Sequence, residues 1–140
     1  MITGIAHGSF DLLHIGHMMF FHWCKTYLNS IDSDNQLVVL LSSDKRVKEI
    51  KGETRPYLNS LLRQFSLLQL RTIDQVLISH NGLPEIEEIE PDYFFKGEDT
   101  DINSELFKDE KELLVHLDCS LILVPIELEL HTTDILNGTL

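Results

Sequence analysis

Two histidines, His14 and His17, lie where a short apolar run near the start of the sequence gives way to a segment with helical periodicity. The first turn of a helix has backbone N–H groups without intrahelical partners, and the helix dipole favours negative charge there. Imidazoles at such a turn can donate hydrogen bonds to phosphate oxygens or neutralise their charge. The pair therefore predicts a phosphate-binding site of the kind that nucleotides occupy.

The residues around the two histidines fit this prediction. Gly8 and Gly16 have no Cβ, so the backbone at both positions can approach a phosphate closely. Asp11 precedes the helix and can hold the turn by accepting hydrogen bonds from backbone N–H groups. Zinc binding by the histidines is an alternative, but no third ligand of clear type lies near them, and the intervening glycine favours a phosphate turn. We therefore predict no metal-ligating residues.

A second feature is a cluster of positive charge in an acidic chain. The formal net charge is −12, yet six of the 11 Lys and Arg residues lie between positions 45 and 63. These are Lys45, Arg46, Lys48, Lys51, Arg55 and Arg63. Arg55 precedes a proline, which favours an extended backbone and aims its side chain. We interpret the cluster as a binding feature, and a solvated basic loop is the plainer alternative.

Length and composition indicate one ordinary globular domain. The chain has 140 residues, of which 43% are hydrophobic and 24% charged, so it can bury a single core. No apolar run approaches the roughly 18 residues that span a bilayer, and the N-terminus does not resemble a signal peptide. We expect a single domain over residues 1–140, located in the cytoplasm, with no membrane partner. The acidic charge also argues against nucleic acid as a partner.

Strand-like and helix-like segments alternate along the chain. Apolar runs predict strands over residues 2–6, 36–41, 75–79, 93–95 and 121–124. Helical periodicity predicts helices over 15–29, 57–71, 83–90 and 102–116, a last helix from 132, and an exposed loop or broken helix over 42–56. The alternation predicts an α/β fold with a Rossmann-like, doubly wound, parallel five-stranded sheet and helices on both faces. Ligands of such sheets bind beyond the carboxyl ends of the strands.

The ten residues that contain both histidines resemble the signature of a known family. They read Gly8-Ser9-Phe10-Asp11-Leu12-Leu13-His14-Ile15-Gly16-His17. The string is similar to that of the HIGH-motif, cytidylyltransferase-like nucleotidyltransferases. The resemblance implies that His14 and His17 contact a triphosphate and stabilise charge on the transferring phosphoryl group. It also implies nucleotide-binding roles for the residues Gly8, Ser9, Phe10, Asp11 and Gly16.

The basic segment resembles the same family. Lys51-Gly52-Glu53-Thr54-Arg55-Pro56, with Arg63 eight residues after Arg55, is similar to a Lys-Gly-x-x-Arg-Pro segment of the ADP-heptose-forming branch. The resemblance implies that Lys51, Arg55 and Arg63 bind the triphosphate and the phosphate of the acceptor, and take part in catalysis.

Two further segments complete the resemblance. Lys96-Gly97-Glu98-Asp99 is similar to a loop beside the sugar and base, which implies that Lys96, Gly97 and Asp99 bind the nucleotide. His131-Thr132-Thr133 is similar to a Ser-Thr-Thr element, which implies that Thr132 and Thr133 contact the triphosphate.

The resemblance also implies a reaction. A nucleotidyl group passes from a nucleoside triphosphate to a small phosphorylated alcohol or sugar, pyrophosphate is released, Mg²⁺ is the cofactor, and the protein is a homodimer. We favour CTP as donor, and ATP acting on a sugar phosphate is the alternative. A nucleotide-binding module without catalysis stays open, whereas size and acidity disfavour a domain of the aminoacyl-tRNA-synthetase type.

Overall fold

The computed structural model describes residues 1–125. Its strands are β1 (Ile2–Gly8), β2 (Asn35–Ser42), β3 (Gln75–Ser79), β4 (Tyr93–Gly97) and β5 (Ser120–Val124). Its helices are α1 (Ile15–Ile31), α2 (Asp44–Lys51), α3 (Ser60–Leu68), α4 (Leu83–Ile89) and α5 (Glu105–His116). The helix predicted from residue 132 lies outside the described residues. No helix within residues 1–125 is both long and apolar enough to cross a membrane.

The five strands form one sheet in the order β3-β2-β1-β4-β5, and all neighbouring strands are parallel. The chain winds from β1 through β2 to β3, then continues at β4 on the other side of β1. The strand order therefore reverses between β1 and β4, and ligands of open α/β sheets bind at such a switch point. The predicted fold is confirmed.

Apolar side chains cover both faces of the sheet, as expected for parallel strands buried between two layers of helices. On one face Val39 of β2 belongs to a core cluster with Leu28 of α1, and α3 also packs on this side. On the other face Val38 belongs to a cluster with Ile86 of α4 and Phe107 of α5. The two layers hold the carboxyl ends of the strands at one edge, where the loops meet.

The polar segment over 42–56 contains a helix where we predicted a loop or a broken helix. Helix α2 begins after Ser43, whose Oγ accepts a hydrogen bond from the backbone N–H of Arg46. Its last residue is Lys51, and Gly52 follows with a φ of 100°, a conformation that glycine adopts readily.

Helix α3 is shorter than the predicted helix over 57–71. Asn59 caps it through a hydrogen bond from the backbone N–H of Leu62. The backbone N–H groups of Tyr57 and Leu58 instead donate to the carboxylate of Asp11, 46 and 47 positions earlier in the chain. The Asn59 cap and the long-range contact with Asp11 therefore act together to begin α3 after residue 59.

Candidate nucleotide-binding site

A cavity of about 800 Å³ opens at the carboxyl ends of β1 and β4. The loop between β1 and α1, the end of α2 and the loop after β4 form its walls. Of the predicted site residues, ten line it: Gly8, Ser9, Phe10, His14, Gly16, His17, Lys51, Lys96, Gly97 and Asp99. Asp11, Arg55 and Arg63 are not among its lining residues, and Thr132 and Thr133 lie outside the described part of the chain.

The two histidines cap helix α1 together. The Nδ1 atom of His14 accepts a hydrogen bond from the backbone N–H of Gly16 at 3.1 Å. The Nδ1 atom of His17 accepts one from the backbone N–H of His14 at 3.3 Å. The ring centroids are 3.9 Å apart. This is a capping box built from imidazoles, in which each ring satisfies one of the unpaired donors of the first turn.

The capping bonds determine which nitrogen carries the proton. Because Nδ1 is the acceptor in both His14 and His17, each neutral ring carries its proton on Nε2. Burial, with smaller contributions from His14 and Lys51, lowers the pKa of His17 from 6.5 to about 4. His17 is therefore neutral at pH 7 when the cavity holds no ligand, and its Nε2–H is a hydrogen-bond donor for phosphate oxygens.

The glycines of the motif leave room for neighbouring side chains. A Cβ on Gly16 would lie 2.9 Å from Cε1 of His14, and one on Gly8 would lie 3.0 Å from the ring of Phe10. Phe10 has a φ of 43°, which is strained for a residue other than glycine. Its ring lies edge-on to that of His17, with centroids 5.7 Å apart. The rings of Phe10 and His17 thus pack against each other at the phosphate-binding turn.

Asp11 differs from its predicted role. Its carboxylate is buried and accepts hydrogen bonds from the backbone N–H groups of Tyr57 at 2.7 Å and Leu58 at 2.9 Å, and from Nε of Arg55 at 3.2 Å. Burial alone would raise the pKa of Asp11, but these hydrogen bonds outweigh burial and hold the pKa below 3.8. Asp11 therefore does hold backbone N–H groups, but those of a distant loop, and His14 caps α1 in its place.

Arg63 also differs from its predicted role as a phosphate ligand. Its side chain is fully buried, and Nε donates to the carbonyl of Leu58. Nη1 donates to the carbonyls of Ser9 and Ser42, and Nη2 donates to the carboxylate of Asp44 at 2.7 Å. A guanidinium used in this way joins four segments of the chain. It supports the site from behind and does not face the cavity.

Arg55 combines a structural contact with a side chain that is partly open to solvent. Its Nε bonds to Asp11, its guanidinium lies 4.5 Å from the centroid of the Tyr57 ring, and its side chain is 28% exposed. Arg55 is thus anchored beside the cavity with part of its surface open to solvent.

Lys51 and Lys96 supply positive charge to the cavity itself. Lys51 lies at the end of α2, where burial and the neighbouring Arg55 lower its pKa despite the opposite effect of Asp11. Lys96 comes from β4 on the far side. Two imidazole donors and two ammonium groups therefore surround one cavity of an acidic protein, an arrangement suited to an anionic, phosphate-bearing ligand.

The residues present fit a magnesium ion that is bound mainly by the phosphates of a nucleotide. Asp99 is the one carboxylate that lines the described cavity, and a Cβ on Gly97 would lie 2.6 Å from its Oδ1. Within residues 1–125 there is no group of three His, Cys, Asp or Glu side chains that could hold a metal ion. Mg²⁺ commonly takes one or two protein carboxylates together with substrate phosphates.

His7 is the one ionisable residue lining the described cavity that the sequence did not predict. His7 lines the cavity beside Gly8 and bonds to the buried Glu110 of α5. Its position in the sequence carries a usable signal, since it follows the apolar run of β1 and so lies at the edge of the sheet where ligands bind. Glu110 has no comparable signal, because the sequence pattern predicts that an acidic residue in an acidic helix is exposed to solvent.

The fold and the cavity define a nucleotide-binding α/β protein, and comparison with known proteins gives its family. The family model for cytidylyltransferase-like proteins matches residues 5–137. This chain therefore belongs to the cytidylyltransferase-like family and is a nucleotidyltransferase. The predicted family is confirmed.

Curated relatives share the name bifunctional protein HldE. The chain is 32% identical to the protein from Aliarcobacter butzleri over 118 residues, and 34% identical to that from Helicobacter pylori strain 26695 over 114 residues. These matches cover 81% and 80% of this chain but only 24% and 23% of the relatives. The chain thus spans about a quarter of the length of these relatives.

A solved structure has the same fold. It is that of the lipopolysaccharide core biosynthesis protein from Thermoplasma volcanium GSS1, with a TM-score of 0.64 and 22% identity. The match covers 89% of this chain and 94% of the other chain.

We expect Asp11→Asn to lower the free energy of unfolding by about 1–3 kcal/mol at pH 7, because buried donors lose a charged acceptor. The pKa of Asp11 is lowered in the folded state, so its contribution is complete above the unfolded-state value of about 3.9 and is lost as the pH falls through the lower folded-state value. Urea unfolding from pH 7 to pH 3 measures both effects. The exposed Asp109→Asn on α5 is the control, and equal destabilisation by both variants would contradict the assigned role.

Proposed function

We propose that this chain transfers an adenylyl group from ATP to the phosphate of a sugar phosphate and releases pyrophosphate. The observation that carries the reaction type is the His14–His17 pair, whose Nδ1 atoms accept the capping hydrogen bonds and whose rings line a cavity that also contains Lys51 and Lys96. Donors held rigidly in this way stabilise charge that develops on a transferring phosphoryl group.

The choice of donor differs from our sequence expectation, which favoured CTP and transfer of CMP. Two observations support ATP. The curated relatives reported above share one name, HldE, and the segment from Lys51 to Pro56 resembles the ADP-heptose-forming branch. CTP is the second candidate, because the matching family is described as cytidylyltransferase-like.

The proposed mechanism is an in-line displacement. An oxygen of the acceptor phosphate attacks the α-phosphorus of the nucleotide, the bond from that phosphorus to the bridging oxygen of the β-phosphate breaks, and pyrophosphate leaves with the electron pair. His14 and His17 donate hydrogen bonds to phosphate oxygens, and Lys51 and Lys96 neutralise charge. Little covalent chemistry is required of the protein, because positioning and electrostatic stabilisation supply the acceleration. Bound Mg²⁺ would neutralise charge on the triphosphate, with Asp99 the carboxylate placed to reach it.

A homodimer is the second part of the proposal. Helix α3 exposes four apolar side chains, with exposed fractions from 50% to 69%: Leu61, Leu62, Phe65 and Leu68. Their spacing places them on adjoining faces of the helix, and contiguous exposed apolar surface of this kind usually marks a protein interface. A second copy of the chain is the occupant that we propose, with two α3 helices packed across a two-fold axis.

The first test concerns catalysis. We expect His17→Ala to reduce turnover by about 10²–10³-fold, the usual effect of losing one rigid donor to a developing charge. Pyrophosphate release from ATP with sugar phosphates as acceptors is the measurement. His22→Ala, an exposed histidine on the same helix, is the matched control. Wild-type turnover in His17→Ala would exclude the proposed mechanism, whereas no pyrophosphate release by the wild type itself would favour a binding module without catalysis.

The second test identifies the donor. A nucleotide present at about 100 times its Kd adds about 2.7 kcal/mol to the stability of the folded protein. Thermal unfolding with ATP, CTP, UTP and GTP, each with Mg²⁺ and each without it, should show the largest rise in Tm for ATP. A larger rise with CTP would reverse the choice of donor, and an equal rise without Mg²⁺ would argue against the cofactor.

The third test concerns the dimer. Light scattering after size exclusion should give twice the chain mass for the wild type and the single mass for Phe65→Glu, because a charge cannot be buried unpaired in an apolar interface. Leu106→Glu, at an exposed position of α5, is the control and should keep the wild-type mass. A monomeric wild type, or a dimeric Phe65→Glu, would contradict the proposed interface.

A further inference from the structure

His7 and Lys96 line the cavity from the two strands that separate at the switch point. The ladder between β1 and β4 ends where Ala6 pairs with Phe95, so His7 and Lys96 are the first residues beyond it. Their side chains are 8% and 17% exposed. They are thus mostly buried groups at the edge of the sheet where the ligand binds.

The carboxylate of Glu110 lies between these two side chains. Its Oε1 is 3.1 Å from Nδ1 of His7, and its Oε2 is 3.9 Å from Nζ of Lys96. In the described part of the chain, Oε2 is a buried oxygen with no hydrogen-bond partner. A carboxylate that served the fold alone would be expected to use both oxygens in hydrogen bonds, because burying one without a partner is costly. The position of Glu110 therefore calls for an explanation beyond packing.

Glu110 restrains the ammonium group of Lys96. Nζ lies 5.6 Å from the ring centroid of Phe94 and 5.1 Å from that of Phe107, and both rings are buried. The two ring faces attract the cation, and the carboxylate attracts it from a distance too long for a hydrogen bond. The ammonium is thus held at the cavity wall and keeps its capacity to donate hydrogen bonds to a ligand.

Glu110 also fixes the ring of His7. Nδ1 donates to the carboxylate, and Nε2 lies 3.4 Å from Oγ of Ser42. Gly82 closes the third side, where a Cβ would lie 3.0 Å from Cε1 of His7. The imidazole is therefore held on three sides while it lines the cavity.

We propose that Glu110 is a positioning residue for the transfer reaction, acting by holding Lys96 and His7 in place at the switch point. This inference rests on the function proposed above. The alternative is a carboxylate that affects the ligand through its charge alone. The negative charge of Glu110 repels an anionic nucleotide, so under that alternative its removal would lower the nucleotide KM and leave kcat unchanged.

The test is Glu110→Gln, which removes the charge and keeps the shape and an acceptor for His7. We expect kcat to fall about tenfold or more, because Lys96 and His7 lose their alignment with the reacting groups. The nucleotide KM should be unchanged or lower. Circular dichroism and Tm should stay close to the wild type. Glu112→Gln, at an exposed position of the same helix, should behave as the wild type. An unchanged kcat, or a fall explained by loss of folded protein, would overturn the proposal.

A double variant tests whether Glu110 acts through Lys96. In the background of Lys96→Met, adding Glu110→Gln should lower kcat by a smaller factor than in the wild type, because one of the two groups that Glu110 positions is already gone. Independent, multiplying effects would overturn the role assigned to Lys96. If the wild type and Glu112→Gln release no pyrophosphate with any nucleotide and sugar phosphate, the proposed function is wrong, and this inference, which rests on it, is wrong as well. An active wild type with an unaffected Glu110→Gln overturns this inference alone.

Discussion

The candidate site depends on two buried charged side chains, Asp11 and Arg63, whose hydrogen bonds tie the basic segment to the phosphate-binding turn. Asp11 holds the backbone of Tyr57 and Leu58, and Arg63 bonds to the carbonyls of Leu58 and Ser9. The turn before α1 and the loop before α3 are thereby fixed to each other across the chain. Each charge is buried, but its hydrogen bonds are nearly all made, which is the condition under which a buried charge is tolerated. Without this connection the segment that carries Lys51 and Arg55 would have no fixed position relative to His14 and His17.

The sequence predicted the elements well because their signals are local. The periodicity of α1, the apolar run of β2 and the glycine and histidine spacing of the motif each depend on neighbouring residues, and the parallel sheet follows from their alternation. The roles of Asp11 and Arg63 could not be read in the same way. Both are charged residues within motifs that bind phosphate by resemblance, and a charged side chain that satisfies distant backbone groups has no pattern in sequence. The same reason applies to the late start of α3, because Asp11, 46 positions earlier, holds the backbone of Tyr57 outside the helix that Asn59 caps.

The positive charge of the cavity comes from a few structural elements that meet at one edge of the sheet. An acidic protein repels phosphate over most of its surface, so the cavity must concentrate its cations on elements that meet there. The end of α2 and the end of β4 each bring one ammonium group to the carboxyl edge of the sheet, and the start of α1 adds two imidazole rings. Lys45, Arg46 and Lys48, also counted in the sequence cluster, do not line the described cavity. Fewer cations of the basic segment therefore line the described cavity than their clustering in the sequence suggested.

Burial is the main reason that His17 is neutral at the start of α1. Each Nδ1 is committed to a backbone donor, and burial with Lys51 nearby opposes protonation of His17. A site made of permanent cations alone would bind a triphosphate tightly before and after the reaction, whereas uniform binding of that kind does not raise kcat. Neutral donors attract the ground-state ligand less and respond to charge as it builds up on the transferring group. The capping box of α1 is thus more than a helix terminus, because it uses Nδ1 of both rings and leaves Nε2 as the atom that can donate to a phosphate.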